Sequence, residues 1–183
     1  MHKPIVLKDF FDPEDFAHIQ ARYAYLDENK HKINMDYCGN FHRYQSHNDP
    51  PLVAIHHKIK DKVQELIGGV PIKTSYLYAV LYDENGYCFP HVDKRQCEFT
   101  VDLCVKQSKP WPFYVNHVND YWTTDEKTLK DNCEEYILEE GDALLLLGTD
   151  HFHYRNRMNG DKGDYCHMCF FHFVSEDFEG PLG

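Results

Sequence analysis

The feature that most constrains the fold of this chain is a change of periodicity at Pro71. Before it, apolar residues recur every three or four positions; after it, they come in short β-branched and aromatic runs. The segment "DPEDFAHIQARYAYLDENK" opens with Asp12 as a helix N-cap and Pro13 at the first helical position. Phe16, Ile19, Tyr23 and Leu26 follow as one apolar stripe. A second helix starts near Pro51, turns Leu52, Ile55, Ile59, Val63 and Leu66 to the core, and stops at Gly68-Gly69, where a left-handed cap suits glycine. Between the helices, "HKINMDYCGNFHRYQSHNDP" has no clear period and reads as a long loop with one short strand at most.

After Pro71 the runs "IKTSYLYAVLY", "CEFTVDLCV", "WPFYVNHV", "EEYIL", "DALLLLG" and "DYCHMCFFHFV" read as strands. Turn chemistry separates them: "DENG", "KQSKP", "EEGD" and "NGDKGD". The charged run "TTDEKTLKDNCEE" reads as a solvated excursion between two strands. The expected fold is mainly β with N-terminal α-helices, a sandwich or barrel with helices packed on one face. A length of 183 residues suits one domain.

Charge and cysteine usage narrow the function. A formal net charge of −11 disfavours nucleic acid and anionic membrane as partners. No apolar run approaches the roughly 20 residues that span a bilayer. The acidic "KDFFDPEDF" is unlike the apolar core of a signal peptide. Seven cysteines without regular spacing predict reduced thiols, hence a cytoplasmic setting and no disulfides. Cys166 and Cys169 lie within a strand, where a redox or zinc pair is not expected.

Chemistry enters at "GYCFPHVDKRQ". Two residues apart on an extended strand, His91 and Asp93 point to the same face, so one short strand can offer two ligands to a cation. In a chain with 13 histidines that spacing alone decides nothing. A third ligand is available in "EEGDALLLLGTDHFHYR", where a Gly-Asp turn introduces a buried strand and then Asp150, His151, His153 and Arg155. Two histidines and one carboxylate on one face of a cation leave positions open for substrate and oxygen, the donor set of oxygen-activating Fe(II).

The run Tyr82, Gly86, Tyr87, "PHVD" and "EEGDALLLLGTDHFHYR" resembles the Fe(II)- and 2-oxoglutarate-dependent dioxygenases, in particular their prolyl-4-hydroxylase-like branch. The resemblance covers roughly residues 76–174. It implies a double-stranded β-helix (jelly-roll, cupin-like) core over 71–175, with 1–70 as a helical support layer. It also implies Fe(II), 2-oxoglutarate and O2 as cofactors, with His91, Asp93 and His153 as the catalytic metal ligands. His151, two residues from His153, is the competing distal ligand. Tyr82 matches the family's co-substrate-binding tyrosine. The family's basic anchor for the far carboxylate lies nine to eleven residues after the distal histidine, and here that strand holds no arginine. Arg155, turned inward beside His153, and Lys106 at the end of "CEFTVDLCVK" are the two candidates for that charge. The implied activity is hydroxylation of a C–H bond in a peptide, protein side chain or small molecule, with release of succinate and CO2.

The missing strand arginine favours a second reading, a cupin-like protein that binds a metal or small molecule without turnover. A third treats the histidines as incidental to an interaction domain. His56-His57 reads as a solvent-facing pair, the loop "HRYQSHNDPP" with Arg43, Tyr44 and His47 as a border of the site, and Trp111 as strand start and core filler.

Overall fold

A computed structural model describes residues 3–36 and 41–183. Two helices, α1 (Pro13–Glu28) and α2 (Pro50–Leu66), form where the apolar stripes lie, each with a proline in its first turn. Ile19, Tyr23, Leu26, Leu52, Ile55, Ile59 and Val63 are buried. Leu66 departs from the expected stripe: it is exposed, and Ile67 takes the core position as the helix unwinds into Gly68 and Gly69, both at positive φ. Asp12 caps α1 through its backbone, while its carboxylate pairs with Lys58 and Lys62 of α2 and ties the helices together.

Among the described residues, eleven strands follow in order as β1 (Ile5–Leu7), β2 (Asn34–Asp36), β3 (Phe41–His47), β4 (Ile72–Tyr82), β5 (Tyr87–His91), β6 (Phe99–Gln107), β7 (Phe113–Asn116), β8 (Glu134–Tyr136), β9 (Ala143–Leu146), β10 (Phe152–Arg155) and β11 (Cys166–Ser175). All the ladders are antiparallel, in the order β1-β9-β6-β11-β4-β3-β5-β10-β7-β8, with β2 on β3. From β4 to β11 the chain passes back and forth between two layers, one of β9, β6, β11 and β4, the other of β5, β10, β7 and β8, with β7 and β8 consecutive in the second. This is a double-stranded β-helix. The segment between the helices, expected to be mostly loop, supplies β2 and β3. Tyr44–His47 pair with β4 while Phe41 and His42 pair with β5, so β3 closes one side of the barrel.

Parity explains why the central strands are apolar almost throughout. Leu77, Ala79 and Leu81 of β4, Val101, Leu103 and Val105 of β6, and Cys169, Phe171 and Phe173 of β11 pack under α1 and α2. The alternate positions, including Val80, Tyr82, Cys104, Cys166 and Met168, turn into the barrel. Cys166 and Cys169 thus belong to opposite faces. All six described cysteines are free, and Cys38 lies outside the described residues. The charged run 123–135 holds a third helix, α3 (Glu126–Asp131), capped by Asp125 accepting from the Thr128 amide and pinned by buried Leu129. His56 also departs from expectation. It is buried, packs 4.8 Å from the Phe173 ring, and donates from Nε2 to the His172 carbonyl at 2.9 Å; His57 faces solvent. No helix among the described residues is long and apolar enough to cross a membrane.

Candidate active site

The barrel encloses a cavity of about 410 Å³ at the open end between the two layers. His91 ends β5 and His153 lies on β10, directly opposite each other in the ladder. Their ring centroids are 4.4 Å apart. Each ring is pinned from behind: Nδ1 of His91 donates to the Phe89 carbonyl and Nδ1 of His153 to the His151 carbonyl, both at 2.7 Å. That leaves both Nε2 atoms facing Asp93 Oδ1, at 3.4 Å and 3.7 Å. Ligand atoms of the three residues all lie within 4.8 Å of one another, so they can hold a cation between them.

Asp93 is placed by a backbone contact. Its amide donates to the Gly148 carbonyl at 2.7 Å. A Cβ at Gly148 would stand 2.4 Å from both Asp93 Oδ2 and the Cys97 carbonyl, so only glycine lets the β9–β10 turn come this close. Burial works to raise the Asp93 pKa, but His153 and His91 hold it well below the usual carboxylate range. Burial works to lower the His91 pKa, and Cys88 and Asp93 overcome it to raise it to about 11. A second grouping, Asp93 with Cys97 and His172, shares the carboxylate. It is the poorer donor set: burial pushes the Cys97 thiol up, and Nδ1 of His172 is 3.0 Å from the Thr100 hydroxyl.

His151 does not share the face of His153. It precedes β10, and its Nδ1 accepts the Leu147 amide at 3.3 Å, closing the turn. Its ring lines a separate cavity beside His117. Strand parity fails because the strand has not yet begun.

Arg155 is buried and lines the main cavity, as its spacing from His153 implied. Its guanidinium lies 4.9 Å over both the Trp111 and Phe113 rings and donates to the Trp111 carbonyl. Tyr82 is 1% exposed and faces the same space, its hydroxyl 3.3 Å from Nη1 of Arg43. Trp111 is buried as expected but precedes β7 instead of starting it; it packs 4.9 Å from Tyr82, with Nε1 donating to the Asn156 carbonyl at 3.0 Å. Lys106 is corrected by the structure: it is exposed, beside the Tyr165 ring, and does not line the cavity, because the register of β6 shifts after Cys104 and pairs Lys106 with His167 instead of an inward-facing residue. Arg43, expected at the border of the site, lines the cavity, and two further charged lining residues, Lys94 and Asp102, were not assigned to the site by the sequence. Arg43, at the crossover of β3, lies 3.9 Å over the Phe41 ring. Asp102, in the middle of β6, is 7% exposed. Its signal was a lone carboxylate at an inward position of the otherwise apolar "FTVDLCV".

No protein-family model matches the sequence, and neither does any curated protein. Solved structures do match. The non-heme α-ketoglutarate-dependent carbocyclase SnoK of nogalamycin biosynthesis superposes with a TM-score of 0.73 at 11% identity, over 98% of this chain and 82% of that one. EctD from S. alaskensis, with bound Fe, gives 0.72 at 13% identity, over 98% and 76%. A prolyl-4-hydroxylase from Pseudomonas putida gives 0.66 at 12% identity, over 94% and 93%. The fold is that of the iron- and 2-oxoglutarate-dependent oxygenases. The His91, Asp93 and His153 cluster and Arg155 line the same cavity of this fold.

Proposed function

We propose that this protein is an Fe(II)- and 2-oxoglutarate-dependent oxygenase that hydroxylates a C–H bond of a small molecule or peptide, releasing succinate and CO2. The observation that carries this reading is the convergence of two imidazole Nε2 atoms and one carboxylate, facing a cavity that also holds a buried arginine. The donor set suits Fe(II), since three ligands on one side leave the opposite positions free. Bound iron would supply oxygen activation coupled to oxidation of 2-oxoglutarate.

The chain's own residues do the rest. The Phe89 and His151 carbonyls fix the tautomer and direction of His91 and His153, so both offer Nε2. Asp93 supplies the anionic ligand, held by the Gly148 carbonyl. Arg155 meets the far carboxylate of 2-oxoglutarate, its planar fork suited to two parallel hydrogen bonds, with Tyr82 beside it. Phe89, stacked 4.7 Å from His91, and Phe113, 5.5 Å from His153, keep water from the ligand rings.

Succinate formation from 2-oxoglutarate under anaerobic loading with Fe(II) and then air tests this reading. Slow succinate release by the wild type and none by His153→Ala is the expected result. No succinate from the wild type with any of a panel of small substrates, despite tight Fe(II) binding, would favour the metal-binding, non-catalytic alternative.

A further inference from the structure

Asp102 makes no hydrogen bond or ion pair with any described residue, although it is buried and lines the main cavity. A buried carboxylate without a hydrogen-bond partner is costly, and although Arg155, His91 and Arg43 attract it, a cation entering the cavity can pair with it directly. Its neighbours say which kind. Across the β4–β11–β6 ladders, Tyr78, Phe170 and Asp102 stand in one row, Phe170 paired with Tyr78 on one side and with Asp102 on the other. All three line the cavity. Arg43 lies 5.8 Å from the Tyr78 ring and 6.0 Å from the Phe170 ring, at the outer limit of cation–π contact, and the carboxylate at the end of the row suits a second cation that carries some apolar surface.

We infer that Asp102 and the Tyr78–Phe170 row form a subsite for the ammonium group of a small amine, and that the substrate of this protein carries such a group. Calling the amine a substrate rests on the oxygenase reading; its binding does not. Position supports the assignment. Thr100, two residues earlier on β6, sits beside the triad, since a Cβ at Gly148 would touch both Asp93 and Thr100. Two residues of strand separate it from Asp102, about 7 Å. An ammonium held there is one small molecule's length from the metal ligands. The cavity volume of about 410 Å³ lies at the lower end of small-molecule sites, which favours a compact amine over a peptide chain. Burial and the nearby Asp93 push the Asp102 carboxyl up to about 8, while Arg155, His91 and Arg43 pull the other way. An arriving cation would relieve that cost directly.

Ligand-observed NMR on the metal-free protein tests the subsite without relying on catalysis. At pH 9 the carboxyl is ionised and a primary alkylamine, with the basicity of a lysine side chain, keeps its proton. Propylamine and butylamine are the probes, and 1-butanol and butyrate are the controls. Saturable binding of at least one amine, at least tenfold tighter than 1-butanol, is expected, with at least a tenfold loss in Asp102→Asn. Equal binding of butylamine and 1-butanol to the wild type would overturn the proposal, even if the variant failed to fold. So would an undiminished amine affinity in Asp102→Asn, or a larger loss of 2-oxoglutarate affinity than of amine affinity, which would assign Asp102 to the co-substrate. Amine binding without succinate formation would leave the subsite standing and sink only the oxygenase reading.

Discussion

His91 and His153 face each other across the β5–β10 ladder, and each donates Nδ1–H to the carbonyl two residues before it. The two rings are therefore aimed by the same local device on two antiparallel strands. His151 lacks it, because its Nδ1 already accepts the Leu147 amide. His153→Ala should lower Mn(II) affinity by about 100-fold or more, as loss of one of three ligands requires. His151→Ala should leave it within a fewfold, since that ring lines another cavity. Titration followed by electron paramagnetic resonance of free Mn(II) reads both. The opposite ranking would mean that His151 swings into the site.

Arg155 and Lys106 separate equally cleanly. Truncating Arg155 to Ala should weaken 2-oxoglutarate binding by about 3 kcal/mol, because two charge-assisted hydrogen bonds are lost. Lys106→Ala should have no effect, its side chain being outside the barrel. Calorimetric titration of the Mn(II)-loaded protein is the measurement, and loss of binding only in the lysine variant would refute the assignment.

Gly148→Ala tests how the carboxylate is held. The added methyl would stand 2.4 Å from Asp93 Oδ2 and from the Cys97 carbonyl. Relief of that overlap must move the turn or Asp93, at about 1–3 kcal/mol. Mn(II) affinity should fall by at least about tenfold although no ligand is changed. A variant with wild-type affinity and an unchanged melting temperature would show that the turn has slack.

His56 gives a stability prediction with a definite sign. Burial lowers its pKa to about 3, against an ordinary 6.5. Below pH 6.5 the unfolded chain takes up a proton that the folded chain refuses, so stability falls as pH drops from about 6.5 towards about 3. The slope approaches about 1.4 kcal/mol per pH unit for this one group. Urea midpoints between pH 6.5 and 4 should fall less steeply in His56→Leu than in the wild type. Parallel lines would mean that His56 titrates normally in the folded protein.

The sequence by itself determined the elements that depend on local chemistry. Asp12-Pro13 and Gly68-Gly69 bound helices through φ preferences and capping, and the Gly141-Asp142 turn is legible because only glycine accepts φ of 90° readily. The spacing of His91 and Asp93 pointed to one face, although Asp93 lies past the end of β5 and is held there by the Gly148 carbonyl. Tertiary structure alone decided the rest. Whether His151 or His153 faces Asp93 depends on where β10 begins, and that is set by pairing with β5 and β7, not by residues 151–153. β3 became a strand because β4 and β5 offered it open edges, despite a polar sequence with no alternation to announce it. Buried His56 looks like a surface residue in one dimension, and nothing local to Asp102 says that it will be buried without a partner. Their burial follows from helices and strands far apart in sequence closing over them, and long-range contacts of that kind leave no periodic trace in the chain.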